Sequence, residues 1–251
     1  MQDTAASSVD GGLLVGADVH KRFGALTVLD GVNFKLAANE AVGIVGPNGA
    51  GKTTLLSVLA GAYPPSGGTV YFNGADVTTL DAAQRCRLGI ARSHQIPRPF
   101  GGMTVFENCI VAATTGGGLS GQGAYQTCVD SLELCQMLHI ANRRAETLGL
   151  LDRKRLELAR VVATEPRVLL LDEIGGGLTD EEANELVETI QALRGRGLAI
   201  VWIEHIVHVL VRVVERLVCM DAGRIIADGK PEAVIANAAV IDAYVGGTSA
   251  S

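Results

Sequence analysis

The segment Gly46-Pro47-Asn48-Gly49-Ala50-Gly51-Lys52-Thr53 satisfies the pattern G-x-x-x-x-G-K-[ST] in full. It follows an apolar run, Ala41–Val45, that predicts a buried strand, and it opens Lys52–Ala60, which predicts a helix. In this strand-loop-helix setting, backbone N–H groups turn inward around phosphate groups beside the positive end of the helix. The segment, hereafter the P-loop, therefore predicts an α/β domain that binds a nucleotide.

Within the P-loop, Lys52 is expected to place a positive charge at the β and γ phosphates. The hydroxyl of Thr53 is a ligand for Mg²⁺, and Thr54 is expected to touch the α phosphate. The rest of the predicted nucleotide-binding set comes from the same loop: Asn48, Gly49, Ala50 and Gly51.

A second apolar run ends in two carboxylates. Val168–Asp172 predicts a fully buried strand that ends in the first carboxylate, and Glu173 follows it. A P-loop site needs an acid at the end of a buried strand to hold Mg²⁺, and Asp172 meets that need. Glu173 is expected to point the other way along the pleat and to polarise the attacking water. An apolar run ending in Asp-Glu is common by chance, so its meaning depends on the P-loop upstream.

The composition limits the function classes. The chain has 251 residues, of which 48% are apolar, and a net charge of −6, which disfavours sequence-independent binding to nucleic acid. Five cysteines, odd in number and without a C-x-x-C pair, are expected to be reduced apolar residues. The N-terminus has no signal-peptide pattern, and the most apolar stretch, 198–214, is broken by charged residues. Any membrane role is therefore expected to come through a partner.

Apolar runs that alternate with amphipathic segments predict an α/β fold. The expected domains are an α/β core, built from residues 13–96 and 161–246, and a helical subdomain over 97–160. Residues 1–12 and 247–251 are expected to be tails. Asp30-Gly31 is expected to be a turn between strands.

These motifs, in this order over nearly the whole chain, resemble those of the ATP-binding cassette (ABC) ATPases. The resemblance implies a P-loop NTPase core of ABC type with an antiparallel β subdomain and a helical insert. It also implies ATP and Mg²⁺ as cofactors, and ATP hydrolysis as the activity.

The same resemblance implies three further site residues. Phe23 matches the aromatic residue that stacks on adenine, although an ordinary half-buried strand residue is the alternative. Gln95 matches a glutamine that reaches Mg²⁺ and the attacking water, and His205 matches a histidine at the γ phosphate. A metal site formed by Glu204, His205 and His208 is the alternative for that histidine, but it lacks further ligands.

Shorter stretches resemble the ATP-binding subunits of branched-chain amino-acid importers: 89–92, 103–108, 153–160 and 240–244. The ATP-binding subunits of lipopolysaccharide exporters share some of these short sequence stretches. The resemblance implies that the chain forms a homodimer or heterodimer with a second ABC ATPase subunit and binds transmembrane permease subunits. It also implies an indirect partner, a periplasmic or extracellular solute-binding protein. No nucleic acid is expected as a partner. It places the chain at the cytoplasmic face of the membrane, bound through the permease, and in the cytosol when isolated.

The family signature, Leu-Ser-Gly-Gly-Gln, acts on the ATP of the other subunit. Leu119-Ser120-Gly121-Gln122 looks like it but lies too far upstream, in a predicted loop. The positional equivalent is Leu148-Gly149-Leu150-Leu151-Asp152, before a helix predicted over Arg153–Thr164 with Asp152 as its N-cap. Gly149 removes the serine hydroxyl, so the ATP site that this signature completes is expected to hydrolyse weakly.

The sequence thus predicts an ATP-binding and hydrolysing subunit of an ABC importer, for branched-chain or related hydrophobic amino acids. Two alternatives keep the fold: the ATPase of a lipopolysaccharide-type exporter, and a regulatory ATP-binding subunit with impaired hydrolysis. A third alternative is a soluble P-loop enzyme such as a small-molecule kinase. Gln95, His205 and the helical insert disfavour it.

Overall fold

The computed structural model describes residues 11–246, so the predicted tails lie outside the described residues apart from Gly11 and Gly12. The strands, in chain order, are β1 (Leu14–Phe23), β2 (Leu26–Leu36), β3 (Ala41–Val45), β4 (Gly67–Phe72), β5 (Ala75–Asp76), β6 (Ile90–Arg92), β7 (Val168–Asp172), β8 (Ala199–Ile203), β9 (Arg216–Asp221) and β10 (Arg224–Gly229). The helices are α1 (Lys52–Leu59), α2 (Ala82–Leu88), α3 (Val105–Thr115), α4 (Gly121–Leu134), α5 (Leu150–Val162), α6 (Asp180–Gly195), α7 (Val207–Leu210), α8 (Pro231–Ile235) and α9 (Ala238–Gly246).

The described chain forms two compact units. The first comprises residues 11–82 and 201–246, and the second comprises residues 83–200. The domain organisation predicted from the sequence, with a core over 13–96 and 161–246 and an insert over 97–160, stays a prediction.

The first unit contains an antiparallel sheet with the strand order β2-β1-β4-β5. Leu14 of β1 lies opposite Leu36 of β2 and Phe72 of β4, and all three side chains are buried. The turn predicted at Asp30-Gly31 is wrong, because these residues lie inside β2. Gly31 has φ +69° where the pairing with β1 shifts register, so the glycine serves a bulge in a continuous strand.

The second sheet of this unit places β3 beside β9 in parallel, with β10 antiparallel to β9. All five residues of β3 are buried, which explains its uniformly aliphatic sequence. Its last residue, Val45, delivers the chain directly into the P-loop. Gly51 ends that loop as the N-cap of α1, with φ +99°.

In the second unit, β6 pairs with β7 in parallel, and the helices α3, α4 and α5 pack together. Capping boxes begin two of its helices: Thr104 with Glu107 at α3, and Thr179 with Glu182 at α6. Ser120 of the apparent signature copy is the N-cap of α4, so that segment begins a helix and is not part of a loop as predicted.

All five cysteines are free and four of them are buried. Burial raises the pKa of Cys128 and of Cys219 to about 11, and that of Cys135 to about 12. These thiols are therefore protonated at neutral pH, which agrees with the prediction of reduced, apolar cysteines. Among the helices of residues 11–246, none is long and apolar enough to cross a membrane.

Candidate functional site

The P-loop approaches neighbouring backbone so closely that two of its positions admit only glycine. A Cβ atom added at Gly46 would lie 2.0 Å from the carbonyl oxygen of Met220, and one at Gly51 would lie 2.8 Å from that of Val28. Both glycines also have φ in the left-handed region, +142° and +99°. The shape of the loop is thus fixed by the strands that flank it.

Gly46→Ala is therefore expected to destabilise the fold by about 2 kcal/mol or more, because backbone must move to admit the methyl group. Gly49→Ala is the matched control, since Gly49 also has positive φ (+81°) but has nothing within 4 Å of the added Cβ. It should cost only the local backbone strain, about 1 kcal/mol. Urea unfolding of the two variants measures the difference, and equal losses would contradict the contact as the cause.

The backbone of the P-loop holds the Lys52 ammonium group. The lysine side chain is buried, and Nζ donates to the carbonyl oxygens of Gly46 (2.7 Å) and Pro47 (2.9 Å). The loop therefore surrounds the ammonium with backbone acceptors, and the cation stays at the position where phosphate charge would be neutralised.

The remaining predicted nucleotide-binding residues differ in their exposure. Asn48, Gly49 and Thr53 are exposed and Thr54 is half-buried, so a ligand can reach them. Ala50 is buried, and its carbonyl oxygen accepts a hydrogen bond from the N–H of Gly223 at 3.1 Å. The tip of the loop is thus open while its base is anchored to the β9–β10 turn.

Phe23, the predicted adenine-stacking residue, ends β1 with 44% of its surface exposed. Its ring meets that of Tyr63 edge-on at 5.4 Å between centroids, and Nζ of Lys21 lies 4.8 Å from its centroid. An exposed ring held by these contacts suits stacking on a base better than core packing. Tyr63 was not predicted, because no motif marks it.

His205 is exposed and follows β8 after one intervening residue, Glu204. Its backbone N–H donates to the carboxylate of Glu204 at 3.2 Å, and that carboxylate is buried. The histidine ring therefore projects from an anchored strand end. In residues 11–246 no group of three or more His, Cys, Asp or Glu side chains is arranged to hold a metal ion.

In the second unit, the carboxylate of Asp172 is 1% exposed and accepts a hydrogen bond from Nη2 of Arg92 at 2.7 Å. A buried carboxylate requires such a partner to remain charged. Sequence analysis missed Arg92, which lies on β6 beside the strand that ends in Asp172.

Glu173 and Gln95 are in contact. The amide Nε2 of Gln95 donates to Oε2 of Glu173 at 2.6 Å, so the structure brings two predicted catalytic side chains together. Strand β7 ends at Asp172, and Glu173 has φ +49°. The pleat argument for its direction is therefore wrong: a left-handed backbone turn directs the side chain. Such strain in a non-glycine residue is typical of functional sites.

The segment that carries Gln95 is tied to α5. The buried carboxylate of Glu157 accepts the backbone N–H of His94 at 3.1 Å. Arg160, one turn along α5, donates to Glu157 at 3.1 Å and to the carbonyl oxygen of Arg98 at 2.9 Å. These two helix residues therefore fix the chain on both sides of Gln95, a role that nothing in their sequence revealed.

The signature region differs from its prediction. Helix α5 begins at Leu150 with Gly149 as the N-cap in extended backbone (φ −68°, ψ 175°), so Asp152 is not the N-cap but lies in the first turn. Its negative charge there favours the helix through the dipole. Leu148 is buried, Leu151 is half-buried and Leu150 is 43% exposed. A Cβ atom at Gly149 would meet nothing within 4 Å.

Mg²⁺ takes oxygen ligands with near-octahedral geometry and keeps several waters. The predicted donors are the Thr53 hydroxyl, the Asp172 carboxylate and the Gln95 amide oxygen, all hard oxygen atoms. Thr53 and Gln95 are exposed, and the Asp172 carboxylate contacts the Arg92 guanidinium. Each of these groups is of the chemical type that Mg²⁺ binds.

Two family models match the chain. The model described as "ABC transporter" matches residues 29–175. The model described as "Branched-chain amino acid ATP-binding cassette transporter" matches residues 224–250.

Curated relatives extend over most of the chain. It is 38% identical to the Escherichia coli K12 protein named "High-affinity branched-chain amino acid transport ATP-binding protein LivG", over 90% of this chain and 94% of that protein. It is 35% identical to the Pseudomonas aeruginosa protein of the same description named BraF, with the same coverage.

Solved structures of ABC cassettes share the fold of this chain. A nucleotide-free ATP-binding cassette from an ABC transporter superposes with a TM-score of 0.85 at 27% identity, covering 93% of this chain and 98% of that one. The ADP conformation of the cassette MJ1267 gives 0.86 at 28%, covering 94% and 99%. The predicted fold class, a mixed α/β cassette with an antiparallel sheet and helices, is confirmed.

Proposed function

The chain belongs to the ABC transporter family of ATP-binding proteins, and from that membership we propose that it binds and hydrolyses ATP to power the import of branched-chain or related hydrophobic amino acids. The observation that carries the proposal is the P-loop, in which Nζ of Lys52 donates to the carbonyl oxygens of Gly46 and Pro47. The names of LivG and BraF, and the match over residues 224–250, support the class of solute.

Each site residue has a proposed task in phosphoryl transfer, which depends mainly on positioning and charge. Lys52 and the P-loop amides bind the phosphates, and Phe23 stacks on the adenine. Glu173 accepts a proton from the attacking water, with its carboxylate oriented by the amide of Gln95 at 2.6 Å. His205 steadies the γ phosphate.

Thr53, Asp172 and Gln95 are the proposed holders of Mg²⁺. When bound, the ion neutralises charge on the phosphate oxygens. Arg92 fixes the position of the Asp172 carboxylate through the contact at 2.7 Å.

ABC cassettes dimerise and work with permease subunits. We propose that this chain pairs with a second ABC ATPase, of the same or a similar sequence, on a transmembrane permease fed by a solute-binding protein. This places it at the cytoplasmic face of the membrane.

Uptake in cells tests the solute class. A strain that lacks the gene for this chain should lose uptake of radiolabelled leucine, isoleucine or valine, and the native gene should restore it. Unchanged amino-acid uptake combined with a defect in lipopolysaccharide at the cell surface would instead establish the exporter. The match over residues 224–250 favours the importer.

The regulatory alternative rests on Gly149, which offers no hydroxyl to the γ phosphate of the partner's ATP. Gly149→Ser is expected to raise ATP turnover of the reconstituted dimer, because one donor to developing charge changes a rate by up to about 10²–10³-fold. The serine side chain has room, since a Cβ meets nothing within 4 Å. Phosphate release measures the change.

Gly123→Ser, on the exposed surface of α4, is the control for adding a hydroxyl elsewhere, since a Cβ there also meets nothing within 4 Å. If Gly149→Ser turns over ATP at the native rate, the missing hydroxyl does not limit that site. The backbone N–H groups at the start of α5 would then suffice.

A further inference from the structure

The C-terminal helix reaches the nucleotide site through one hydroxyl group. The hydroxyl oxygen of Tyr244, on α9, accepts a hydrogen bond from the backbone N–H of Gly46 at 2.8 Å. Gly46 is the first residue of the P-loop, 198 positions earlier in the chain. Tyr244 lies within residues 224–250, the segment matched by the branched-chain amino-acid transporter model.

Gly46 connects that hydroxyl to the P-loop cation. Its N–H donates to Tyr244, and its carbonyl oxygen accepts from Nζ of Lys52 at 2.7 Å. The two contacts involve the peptide groups on either side of the Gly46 Cα atom. A change in the position of Tyr244 therefore acts on the orientation of the group that holds Lys52.

Gly46 has no side chain that could fix this position, and the Met220 carbonyl blocks any replacement at 2.0 Å. Its orientation must therefore be set by hydrogen bonds to its backbone. The residue is buried, so loss of the acceptor for its N–H is costly.

The Tyr244 ring is not tightly enclosed by its surroundings. It lines an apolar cavity of about 340 Å³ together with Val45, Val240 and Ile241. Tyr244 is also 40% exposed, and its hydroxyl group makes a direct hydrogen bond to the P-loop. Burial also raises the pKa of Tyr244, so its phenol stays neutral at physiological pH.

We propose that Tyr244 is a positioning residue for ATP: its hydroxyl holds the first peptide group of the P-loop, and through it Lys52, in the orientation that binds phosphate. The C-terminal helix is then a working part of the nucleotide site. This inference rests on the proposed function, since it concerns the binding of the same ATP.

Tyr244→Phe tests the proposal, because it removes the hydroxyl and keeps the ring. The dissociation constant for a fluorescent ATP analogue and the KM for ATP are expected to rise about threefold to tenfold, the equivalent of one hydrogen bond. The kcat at saturating ATP should stay within about twofold, since no catalytic group is altered. Tyr125→Phe removes an exposed hydroxyl on α4 and should change none of these values.

Hydrogen exchange separates positioning from general loss of stability. In the variant, the peptide containing Gly46 should exchange faster, while peptides from the strand β1 should keep their native rates. An unchanged dissociation constant with native P-loop exchange would overturn the role of Tyr244. Failure of the native chain to bind the analogue at all would overturn the proposed function instead.

Discussion

Glu173→Gln is expected to lower ATP turnover by roughly 10²–10⁴-fold, the range attributed to a positioned general base. The amide keeps the size of the side chain but no longer accepts a proton from water. ATP binding should be unaffected, because Glu173 lies outside the P-loop, so the variant should accumulate as an ATP-bound dimer. Phosphate release measures turnover, and size-exclusion chromatography with ATP measures dimer formation.

Glu181→Gln is the control for this substitution, since Glu181 is an exposed residue in the first turn of α6. It should hydrolyse ATP at the native rate. Hydrolysis by Glu173→Gln at that same rate would show that another group activates the water, and the contact with Gln95 at 2.6 Å would then have only a structural role.

Lys52→Met is expected to weaken ATP binding by about 10²-fold. It removes the charge-assisted hydrogen bonds to the phosphates, each of which contributes about 1.5–3 kcal/mol, and keeps the length of the side chain. Because Lys52 is buried against the Gly46 and Pro47 carbonyl oxygens, its loss should also lower the stability of the nucleotide-free chain. Titration with a fluorescent ATP analogue and urea unfolding measure the two effects.

Lys230→Met, which removes an exposed charge before α8, is the matched control and should bind ATP normally. ATP binding by Lys52→Met within threefold of the native value would mean that the loop amides and the helix end bind the phosphates without the cation.

Some elements were predicted from the sequence with their correct bounds. Ala41–Val45 and Val168–Asp172 coincide with β3 and β7, because every residue of these strands is buried and the apolar run therefore has sharp ends. The P-loop could also be predicted from the sequence, since its function depends on residues that are adjacent in the chain.

Contacts between residues that are distant in the chain could not be predicted from the sequence in this way. Arg92 meets Asp172 from 80 positions away, Glu157 meets His94 from 63, and Tyr244 meets Gly46 from 198. Nothing in the local pattern around Arg92, Glu157 or Tyr244 records its partner, because the contact exists only once the strands and helices have assembled.

Local choices between similar conformations were also missed. Gly31 could end a strand or form a bulge within it, and pairing with β1 selected the bulge. The N-cap of α5 could be Gly149 or Asp152, and the structure has Gly149. Leu148, just before this N-cap, and Leu156, within the helix, are both buried.

Two glycines described above differ in what evolution is free to do with them. At Gly46 any larger residue collides with the Met220 carbonyl oxygen at 2.0 Å, so folding alone requires the glycine. At Gly149 a side chain would enter open space, so no folding constraint preserves the glycine there. A serine at 149 is therefore a substitution that the fold tolerates, and the hydroxyl group of the signature can be gained or lost without any change in the fold.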